Sequence, residues 1–290
     1  RLRYGEEFRP IREPAARKGK SVGLVTLSEA SAKRAGEFAL HPVLMDGTRS
    51  AFPVAINLFG SMRRMGMSLG VDSLDEVGDR ITDLIQTKVP EGFIGKLSML
   101  PKLLEVGKFP PRMRRGDAPS QEIVWRGDQV NLDKLPLMKC WPEDGGAYIT
   151  LPMVITRDPK RGIRNVGMYR IMQTGRTTLA MHWQRHKVGA AHWREMAERG
   201  ETMHVCIALG ADPPSMYSAS APLPPTIDEF LFAGFLRREP VSLTRAVTCD
   251  LEVPAEADFV SEGYSDPAEA LVTEGPFGDH TGFYSLADLY

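Results

Sequence analysis

The chain has 290 residues, 42% of them apolar and 25% charged, and its formal net charge is −1. This composition is typical of a folded globular protein and excludes a disordered or fibrous one, and the length favours two domains over one. The balanced charge gives no general attraction to nucleic acid, and no run of about 18 apolar residues is present to span a membrane. We therefore expect neither a nucleic-acid partner nor a transmembrane segment.

The first 120 residues are predicted to form two unlike parts. Basic side chains outnumber acidic ones in residues 1–35, which have little hydrophobic periodicity, so we predict a basic arm there. Residues 36–120 are predicted to form a mixed α/β domain. The evidence is an apolar, strand-like run over 53–59 and a capping-box pattern at 73–76 that begins an amphipathic helix.

Residues 121–290 are predicted to form a second domain made mostly of strands, and the Pro- and Arg-rich stretch 108–119 is predicted to be a linker or a long surface loop. The predicted strands cover 149–156, 166–173, 177–183, 204–209, 243–253 and 259–263, and the predicted helices cover 190–199 and 226–238. A hairpin turn is predicted at 174–176, and a capping box of Thr226 and Glu229 is predicted to begin the last helix.

The three cysteines, Cys140, Cys206 and Cys249, show no CxxC or other metal-binding spacing. Because an odd number of cysteines cannot all pair within one chain, reduced thiols are the simplest interpretation. Reduced thiols are typical of a reducing compartment, so we predict a cytoplasmic location.

Two histidines and one arginine lie around the predicted hairpin. His182 and His186 are four residues apart, but the zincin helix needs Glu after its first His, and Trp183 stands there. In an extended segment the two histidines share a face, and polar contacts beside a core tryptophan explain the pair better than a metal does. Arg170 suits a bidentate contact to a carboxylate, although its spacing alone favours a solvated charge.

The segment from Glu274 to Asp279 places two acids on either side of Gly-Pro-Phe-Gly, a turn-rich spacer. Carboxylates brought together beside an arginine can take different protonation states, which general acid–base catalysis requires. A surface turn with solvated acids is the alternative, and Glu229 is explained by its capping box alone. The sequence contains no GxGxxG loop, no Walker loop and no GxSxG elbow.

Several motifs follow one another along the chain. They read CWPED at 140–144, NVGMYR at 165–170, MHWQRH at 181–186, ALGADP at 208–213, DLEVPA at 250–255 and EGPFGDHTG at 274–282. In these residues and in their order the chain resembles the UbiD-type decarboxylases, which include the 4-hydroxy-3-polyprenylbenzoate decarboxylases of ubiquinone biosynthesis. The resemblance implies an α/β (α+β) fold, with the N-terminal mixed α/β domain followed by a split β-barrel flavin-binding domain over 121–290. Because family members normally continue further, it also implies that the C-terminal domain is absent.

The resemblance further implies reversible, non-oxidative decarboxylation of an aromatic or α,β-unsaturated carboxylic acid, through a covalent adduct with prenylated FMN. A flavin prenyltransferase would supply this cofactor, and Mn²⁺, often with K⁺, would bind at its phosphate. The full-length protein would be a homo-oligomer. A polyprenylated substrate would bring the cytoplasmic protein to a membrane surface.

The site residues implied by the resemblance fall into three groups. The catalytic residues are Arg170, which would orient the substrate carboxylate, Asp279, which would return the proton, and Glu274, the partner of Asp279. The metal ligands are Asn165, His186 and Glu229, whose amide, imidazole and carboxylate donors suit Mn²⁺. The cofactor contacts are Met168, Tyr169, Arg170, His182, Trp183, Gln184, Lys187, Val188, Ser220 and Pro222.

Two other functions stay open at this stage. The first is an ordinary FMN-binding split-barrel flavoprotein, although hydride transfer does not need two carboxylates beside an arginine. The second is an inactive remnant that serves as an interaction module, because a sheet without its remaining strands exposes an edge prone to pairing. Bound cofactor separates the module from both enzymes, and release of CO₂ separates the two enzymes from each other.

Overall fold

The structure is a computed structural model, and it describes residues 11–17, 20–25, 60–85, 107–224, 227–279 and 281–290. Its helices are α1 (Met62–Leu69), α2 (Asp75–Ile85), α3 (Val188–Glu198), α4 (Pro213–Ser218) and α5 (Glu229–Arg237). Strands of the first part are β1 (Ile11–Arg17), β2 (Lys20–Val25), β3 (Arg112–Met113), β4 (Tyr148–Ile149), β5 (Met153–Arg157), β6 (Arg164–Gly167), β7 (Ile171–Gln173) and β8 (Leu179–Met181). The later strands are β9 (Met203–Leu209), β10 (Ser242–Arg245), β11 (Glu252–Pro254), β12 (Phe259–Ser265), β13 (Thr273–Glu274), β14 (Phe277–Gly278), β15 (Tyr284–Ser285) and β16 (Asp288–Leu289).

The strands assemble into small sheets. The largest has four antiparallel strands in the order β12-β9-β5-β6, and two three-stranded sheets have the orders β4-β7-β8 and β11-β10-β3. The pairs β1-β2, β13-β16 and β14-β15 complete the set. The predicted mixed class of helices and sheets is confirmed. No sheet closes into a barrel within the described ranges, so the split β-barrel arrangement stays a prediction.

The four-stranded sheet is buried on both faces, because its central strands carry apolar side chains at successive positions that point to opposite sides. One face packs against α4 and α5 through Met153, Ile155, Cys206, Ala208, Met216, Phe230 and Ala233. The other face packs against β7 and α3 through Val154, Val205, Ile207, Ile171, Trp193 and Met196. This burial on both faces explains why the segments 149–156 and 204–209 are almost continuously apolar.

Helix α2 confirms the capping box predicted from the sequence. The Asp75 N–H donates to Ser73 Oγ at 3.2 Å, and the Ser73 N–H donates to Glu76 Oε1 at 3.3 Å. The helix buries Val77 against Phe232, Phe235 and Leu236 of α5. In the part of the chain that the structure describes, no helix has both the length and the apolar character needed to cross a membrane.

The predicted hairpin is confirmed, but the strand that enters it is shorter than predicted. β7 and β8 pair antiparallel, and the predicted strand 166–173 is interrupted between β6 and β7. The interruption arises because the Met168 N–H donates to the carbonyl of Ala219 at 2.9 Å instead of to a neighbouring strand. The predicted strand 149–156 is likewise interrupted, at Pro152, which has no N–H to donate to a ladder.

The segment 108–119, predicted to be a linker or a long surface loop, contains the two-residue strand β3, which pairs parallel with β10. The predicted start of the last helix is wrong. The last predicted helix begins at Glu229 with Asp228 as its N-cap, since Asp228 Oδ1 accepts from the Phe230 N–H at 2.8 Å. Glu229 is therefore the first residue of the helix and not the third. Thr226 and the predicted strand 53–59 lie outside the described residues. Strands β1 and β2, which fall within the predicted basic arm, pair antiparallel as a hairpin.

The substitution Ile155→Ala is expected to lower the free energy of unfolding by about 2–5 kcal/mol, because it removes buried methyl groups from the core. Urea denaturation followed by circular dichroism measures this loss. Ile155 is 0% exposed, whereas Ile123 is 75% exposed, so Ile123→Ala is a matched control. The control should change the free energy by no more than about 0.5 kcal/mol. Equal losses in the two variants would contradict the central position of β5.

Candidate active site

Arg170 and Glu274 form a bidentate ion pair at the centre of the candidate site. Arg170 Nε donates to Glu274 Oε1 and Arg170 Nη2 donates to Glu274 Oε2, both at 2.9 Å. The Glu274 side chain is completely buried, and that of Arg170 is 17% exposed. A buried carboxylate is tolerated only when it is paired and hydrogen-bonded, so each side chain fixes the position of the other.

The hairpin of β7 and β8 brings His182 to the same carboxylate. Arg170 precedes β7 and His182 follows β8, and the His182 N–H donates to the Arg170 carbonyl at 3.1 Å. His182 Nδ1 lies 2.9 Å from Glu274 Oε2. The ring of Tyr290 covers His182 from the other side, with the two ring centres 4.6 Å apart.

The ionisation of Glu274 follows from these contacts. Burial opposes the charged form, but hydrogen bonds from His182 and Arg170 outweigh burial and lower the pKa of Glu274 to about 2. Glu274 is therefore a carboxylate at neutral pH. Nearby, burial and the charge of Glu274 raise the pKa of Tyr148, whose hydroxyl donates to the Pro276 carbonyl at 3.2 Å.

The hairpin of β14 and β15 holds the other side of Arg170. Arg170 Nη2 also donates to Ser285 Oγ at 3.1 Å, and its guanidinium carbon lies 4.6 Å from the centre of the Phe277 ring. Phe277 and Ser285 are paired across this hairpin, so one element provides both contacts. The structure thus brings Arg170, His182 and Glu274 into direct contact.

Asp279 lies on the turn between β14 and β15. Its Oδ1 accepts from the Thr281 N–H at 2.8 Å, and its own N–H donates to the Phe283 carbonyl at 3.2 Å. These contacts fix the backbone of the turn. Asp279 is therefore carried by the same hairpin whose two strands contact Arg170.

The CWPED motif supports this hairpin through Asp144, a residue to which the sequence analysis gave no role. Asp144 is buried, and its carboxylate accepts from the Trp141 N–H at 2.8 Å and from the Gly278 N–H at 2.7 Å. A Cβ at Gly278 would lie 2.6 Å from Trp141 Cδ1, so this close approach requires glycine. The signal for Asp144 was its place in a motif, whereas Ser285 and Tyr148 had no sequence signal.

Two of the predicted metal ligands, Asn165 and Glu229, are both tied to the edge strand β6, Asn165 as one of its residues and Glu229 through a hydrogen bond to its backbone. The Val166 N–H donates to Glu229 Oε2 at 2.9 Å, and Asn165 Nδ2 makes a long hydrogen bond of 3.5 Å to Thr156 Oγ1. Burial raises the pKa of Glu229 to about 7, although the hydrogen bond from Val166 opposes the rise. A bound cation stabilises such a desolvated carboxylate in its charged form.

Tyr169 connects Asn165 to the segment that carries His186, the third predicted ligand. The buried Tyr169 hydroxyl accepts from the Gly189 N–H at 3.3 Å, at the beginning of α3. Burial raises the pKa of Tyr169, and hydrogen bonds from Gly189 and Asn165 limit the rise. A Cβ at Gly167 would lie 2.2 Å from the Tyr169 hydroxyl, so glycine is needed for the ring to fold back. His186 is exposed, on the segment just before α3.

Three of the predicted cofactor contacts lie on two segments of chain that a backbone hydrogen bond holds together. Met168, which is half-buried, donates its N–H to the Ala219 carbonyl at 2.9 Å. Ser220 follows Ala219 directly, Pro222 lies two residues further on, and both are exposed. The structure therefore places these three residues on neighbouring stretches of chain.

The other predicted contacts lie at the beginning of α3. Trp183 packs edge-on against Tyr169, with ring centres 6.4 Å apart. Gln184, Lys187 and Val188 are exposed, and Lys187 is the N-cap of α3. Among the described residues, the buried Nε1 of Trp183 has no hydrogen-bond acceptor. An acceptor group of a bound cofactor would satisfy it.

The donor chemistry fits the implied Mn²⁺. Within the described ranges, no three His, Cys, Asp or Glu side chains are grouped as metal ligands. Two of the three predicted ligands, His186 and Glu229, are of these residue types. The third, Asn165, would bind a metal through its amide oxygen. The amide oxygen of Asn165 and the carboxylate oxygens of Glu229 are donors of the kind that Mn²⁺ prefers.

Two family models match the chain. The 3-octaprenyl-4-hydroxybenzoate carboxy-lyase Rift-related domain of the UbiD family matches residues 112–290. The N-terminal domain of the same carboxy-lyase matches residues 28–81. The chain belongs to the UbiD family. The family predicted from the sequence motifs is thus confirmed, and the first match includes every predicted site residue.

Similar proteins include one sequence relative and two enzymes of known structure. An uncharacterised protein of Aquifex aeolicus is 48% identical over 82% of this chain and 49% of its own length. The UbiD-class enzyme HmfF of Pelotomaculum thermopropionicum is 25% identical, with a TM-score of 0.66 over 79% of this chain and 47% of its own, in a complex with FMN. An evolved dimeric form of HmfF in complex with prFMN, with the same identity, TM-score and coverage of this chain, is matched over 49% of its length.

The second enzyme of known structure is the vanillic acid decarboxylase of Sedimentibacter hydroxybenzoicus in its closed form. It is 27% identical, with a TM-score of 0.66 over 80% of this chain and 47% of its own. The UbiD-family chain therefore spans about half the length of the proteins it matches. For this chain, the activities of these longer proteins are proposals.

The substitution Glu274→Gln is expected to flatten the dependence of stability on pH in acid. The folded-state pKa of Glu274 is about 2, below its ordinary value of 4.5. Glu274 therefore stabilises the folded chain fully above about pH 4.5, and this stabilisation is lost as the pH falls towards 2. Urea titrations between about pH 6 and pH 2.5, followed by circular dichroism, give the free energies of unfolding.

The matched control for this experiment is Glu122→Gln, which changes an exposed carboxylate. Its stability should fall with pH in parallel with the unmodified chain. A Glu274→Gln curve that also runs parallel to the unmodified chain would contradict the tight pairing of Glu274.

Proposed function

We propose that the chain forms the catalytic and cofactor-binding part of a UbiD-type carboxy-lyase. The reaction is reversible, non-oxidative decarboxylation of an aromatic or α,β-unsaturated carboxylic acid, of the 4-hydroxy-3-polyprenylbenzoate kind. The observation that carries the proposal is the buried bidentate pair of Arg170 with Glu274, which His182 also contacts. Membership of the UbiD family and the structural similarity to a vanillic acid decarboxylase support it.

The proposed cofactor is prenylated FMN, which a flavin prenyltransferase would supply. Bound there, it provides the electron sink for loss of CO₂. Asn165, His186 and Glu229 would hold Mn²⁺, with K⁺ nearby, and the predicted contacts from Met168 to Pro222 would hold the flavin. The complexes of HmfF with FMN and prFMN support the proposed flavin cofactor. The evolved dimeric form of HmfF supports a homo-oligomer.

Arg170 orients the substrate carboxylate in this proposal. Its Nε and Nη2 are used by Glu274 and Ser285, and among the described residues Nη1 makes no hydrogen bond. Nη1 is therefore the nitrogen that remains for the carboxylate of the substrate. The permanently charged Glu274 prevents the guanidinium from turning, and the ring of Phe277 restricts its plane.

The proton that replaces CO₂ comes from Asp279 in this proposal. Glu274 is not a suitable donor, because its pKa of about 2 keeps it ionised at neutral pH. Asp279 is carried by the turn of the hairpin that contacts Arg170, so it is close in the chain to the groups that orient the substrate. Glu274 acts as the fixed anion of the site, and Asp279 acts as its acid.

The proposal also divides the chain into three parts. These are a basic arm over 1–35, an N-terminal α/β domain over 36–120 and a cofactor-binding domain over 121–290. Separate matches of two family models, one N-terminal and one C-terminal, support this division. The cytoplasmic location is also a proposal.

Decarboxylation is tested with the chain co-expressed with a flavin prenyltransferase. The purified protein is incubated with hydroxybenzoates, vanillate and cinnamates, and CO₂ release is measured by mass spectrometry. We expect turnover of at least one acid by the unmodified chain. Arg170→Lys and Glu274→Gln should each lower kcat by about 100-fold or more. Arg170→Lys keeps the positive charge but loses the planar guanidinium that pairs with Glu274 through two hydrogen bonds, and Glu274→Gln removes the negative charge that holds this guanidinium in place.

Arg176→Lys is the matched control, because Arg176 is exposed on the turn between β7 and β8. It should retain full activity, and the flavin content of all variants should match the unmodified chain. Full activity in Arg170→Lys would contradict the assigned role. Bound FMN that supports redox turnover without CO₂ release would favour the ordinary flavoprotein instead.

The metal assignment is tested separately with Asn165→Ala and Glu229→Gln. Loss of an outer-shell partner typically weakens metal binding by about 10–100-fold, so loss of a ligand should lower Mn²⁺ content at least as much. Metal is measured by plasma mass spectrometry on protein whose folding is verified by circular dichroism. Glu239→Gln, just after α5 and 72% exposed at its side chain, is the control. Unchanged Mn²⁺ content in both site variants would reject these ligands.

A further inference from the structure

Arg164 links two segments of chain that each carry a proposed metal ligand. It is the first residue of β6, directly before Asn165, and its side chain is only 10% exposed. Its Nη1 donates to Glu252 Oε2 at 3.0 Å, and its Nη2 pairs with Asp228 Oδ2. The guanidinium carbon also lies 5.1 Å from the centre of the Phe230 ring.

Asp228 has two roles at the beginning of α5. Its Oδ1 accepts from the Phe230 N–H at 2.8 Å, which caps the helix, and its Oδ2 receives Arg164. Glu229 follows Asp228 directly. The ion pair therefore joins the residue before one proposed ligand to the residue before the other.

A second contact runs parallel to this ion pair. Glu229 Oε2 accepts from the Val166 N–H at 2.9 Å, two residues after Arg164 on the same strand. One contact between a strand and a helix end leaves them free to rotate about it. Two contacts on neighbouring residues fix both the distance and the angle between β6 and the first turn of α5.

We propose that Arg164 is a positioning residue for the metal site, which sets the separation of Asn165 and Glu229 by tying the N-terminus of α5 to β6. This inference rests on the proposed role of Asn165 and Glu229 as ligands. It adds that the site depends on a partly buried ion pair whose members do not themselves bind the metal.

The charges of the surrounding network explain why its role is geometric. Arg157 Nη2 donates to Glu252 at 3.0 Å, so that Arg157, Glu252, Arg164 and Asp228 form a continuous chain. Two cations and two anions cancel, and the network therefore neither attracts nor repels a cation strongly. A buried ion pair is often no more stabilising than an apolar replacement, so stability alone does not account for it.

The test measures binding of Mn²⁺ to the full chain in the presence of FMN. Isothermal titration gives the Kd, and electron paramagnetic resonance reports the symmetry of the bound Mn²⁺. Arg164→Met keeps the apolar stem and removes the guanidinium, and it should raise the Kd by about 10–100-fold. Arg164→Lys should recover part of the affinity, because it restores one charged hydrogen bond to Asp228.

Asp228→Asn separates capping from ion pairing. Asparagine caps a helix about as well as aspartate, so this variant should fold while losing the charged contact to Arg164. Its Kd for Mn²⁺ should rise as in Arg164→Met, with a changed resonance spectrum. Arg245→Met is the control, because Arg245 pairs with Asp250 at 3.6 Å and its side chain is 78% exposed.

The outcomes distinguish the positioning role of Arg164 from the proposed metal site on which it rests. If the unmodified chain does not bind Mn²⁺ with FMN, the metal site and the role of Arg164 are both rejected. If it binds, and folded Arg164→Met and Asp228→Asn bind with unchanged Kd and spectrum, only the positioning role is overturned. If Arg164→Met does not fold, Asp228→Asn decides the question alone.

Discussion

The burial of Glu274 is the constraint on which the candidate site depends. A carboxylate removed from water must keep its cationic and hydrogen-bonding partners, and here these are Arg170 and His182. The two partners lie side by side at the open end of the hairpin β7–β8, whereas Glu274 comes from β13. The ion pair therefore forms only when segments about a hundred residues apart are assembled. Once formed, it fixes the direction of the guanidinium, which is the condition for the orienting role that we propose for Arg170.

The two glutamates Glu274 and Glu229 differ because their neighbours differ. Glu274 contacts an arginine and a histidine, and its pKa falls to about 2. Glu229 is partly buried, and the guanidinium of Arg164, which acts on it electrostatically, is paired with Asp228 and Glu252. Burial then dominates, and the pKa of Glu229 rises to about 7. The protein thus gives Glu274 a cationic partner of its own, whereas Glu229 accepts only a backbone N–H, which is consistent with its proposed role as a metal ligand.

The sequence was sufficient for the parts of the fold that depend on local patterns. The capping box of α2, the hairpin β7–β8 and the apolar strands of the main sheet were all predicted, because alternation and helical spacing are local properties. Helix α4 was missed although Asp212 and Pro213 form a readable N-cap and first turn. The N-cap of α5 was misplaced because Thr226 and Asp228 are both good caps, and only the contact of Asp228 with Arg164 distinguishes them. The interruption at Met168 could not be predicted either, since it depends on a carbonyl far along the chain.

The edge strand β6 explains why fold and candidate metal site are difficult to separate. An edge strand leaves outward N–H groups without a partner, and Glu229 satisfies the one at Val166 with its Oε2. The lone pairs of the carboxylate that remain would bind the cation in the proposed site, so Glu229 would both close the sheet edge and hold the metal. A change at Glu229 would therefore disturb the fold and the proposed site at once. Arg164 and Asp228 lie one residue away from the proposed ligands, and they hold the same two elements together without using a ligand atom. The geometry of the site can for this reason be altered through them while the donors themselves stay intact.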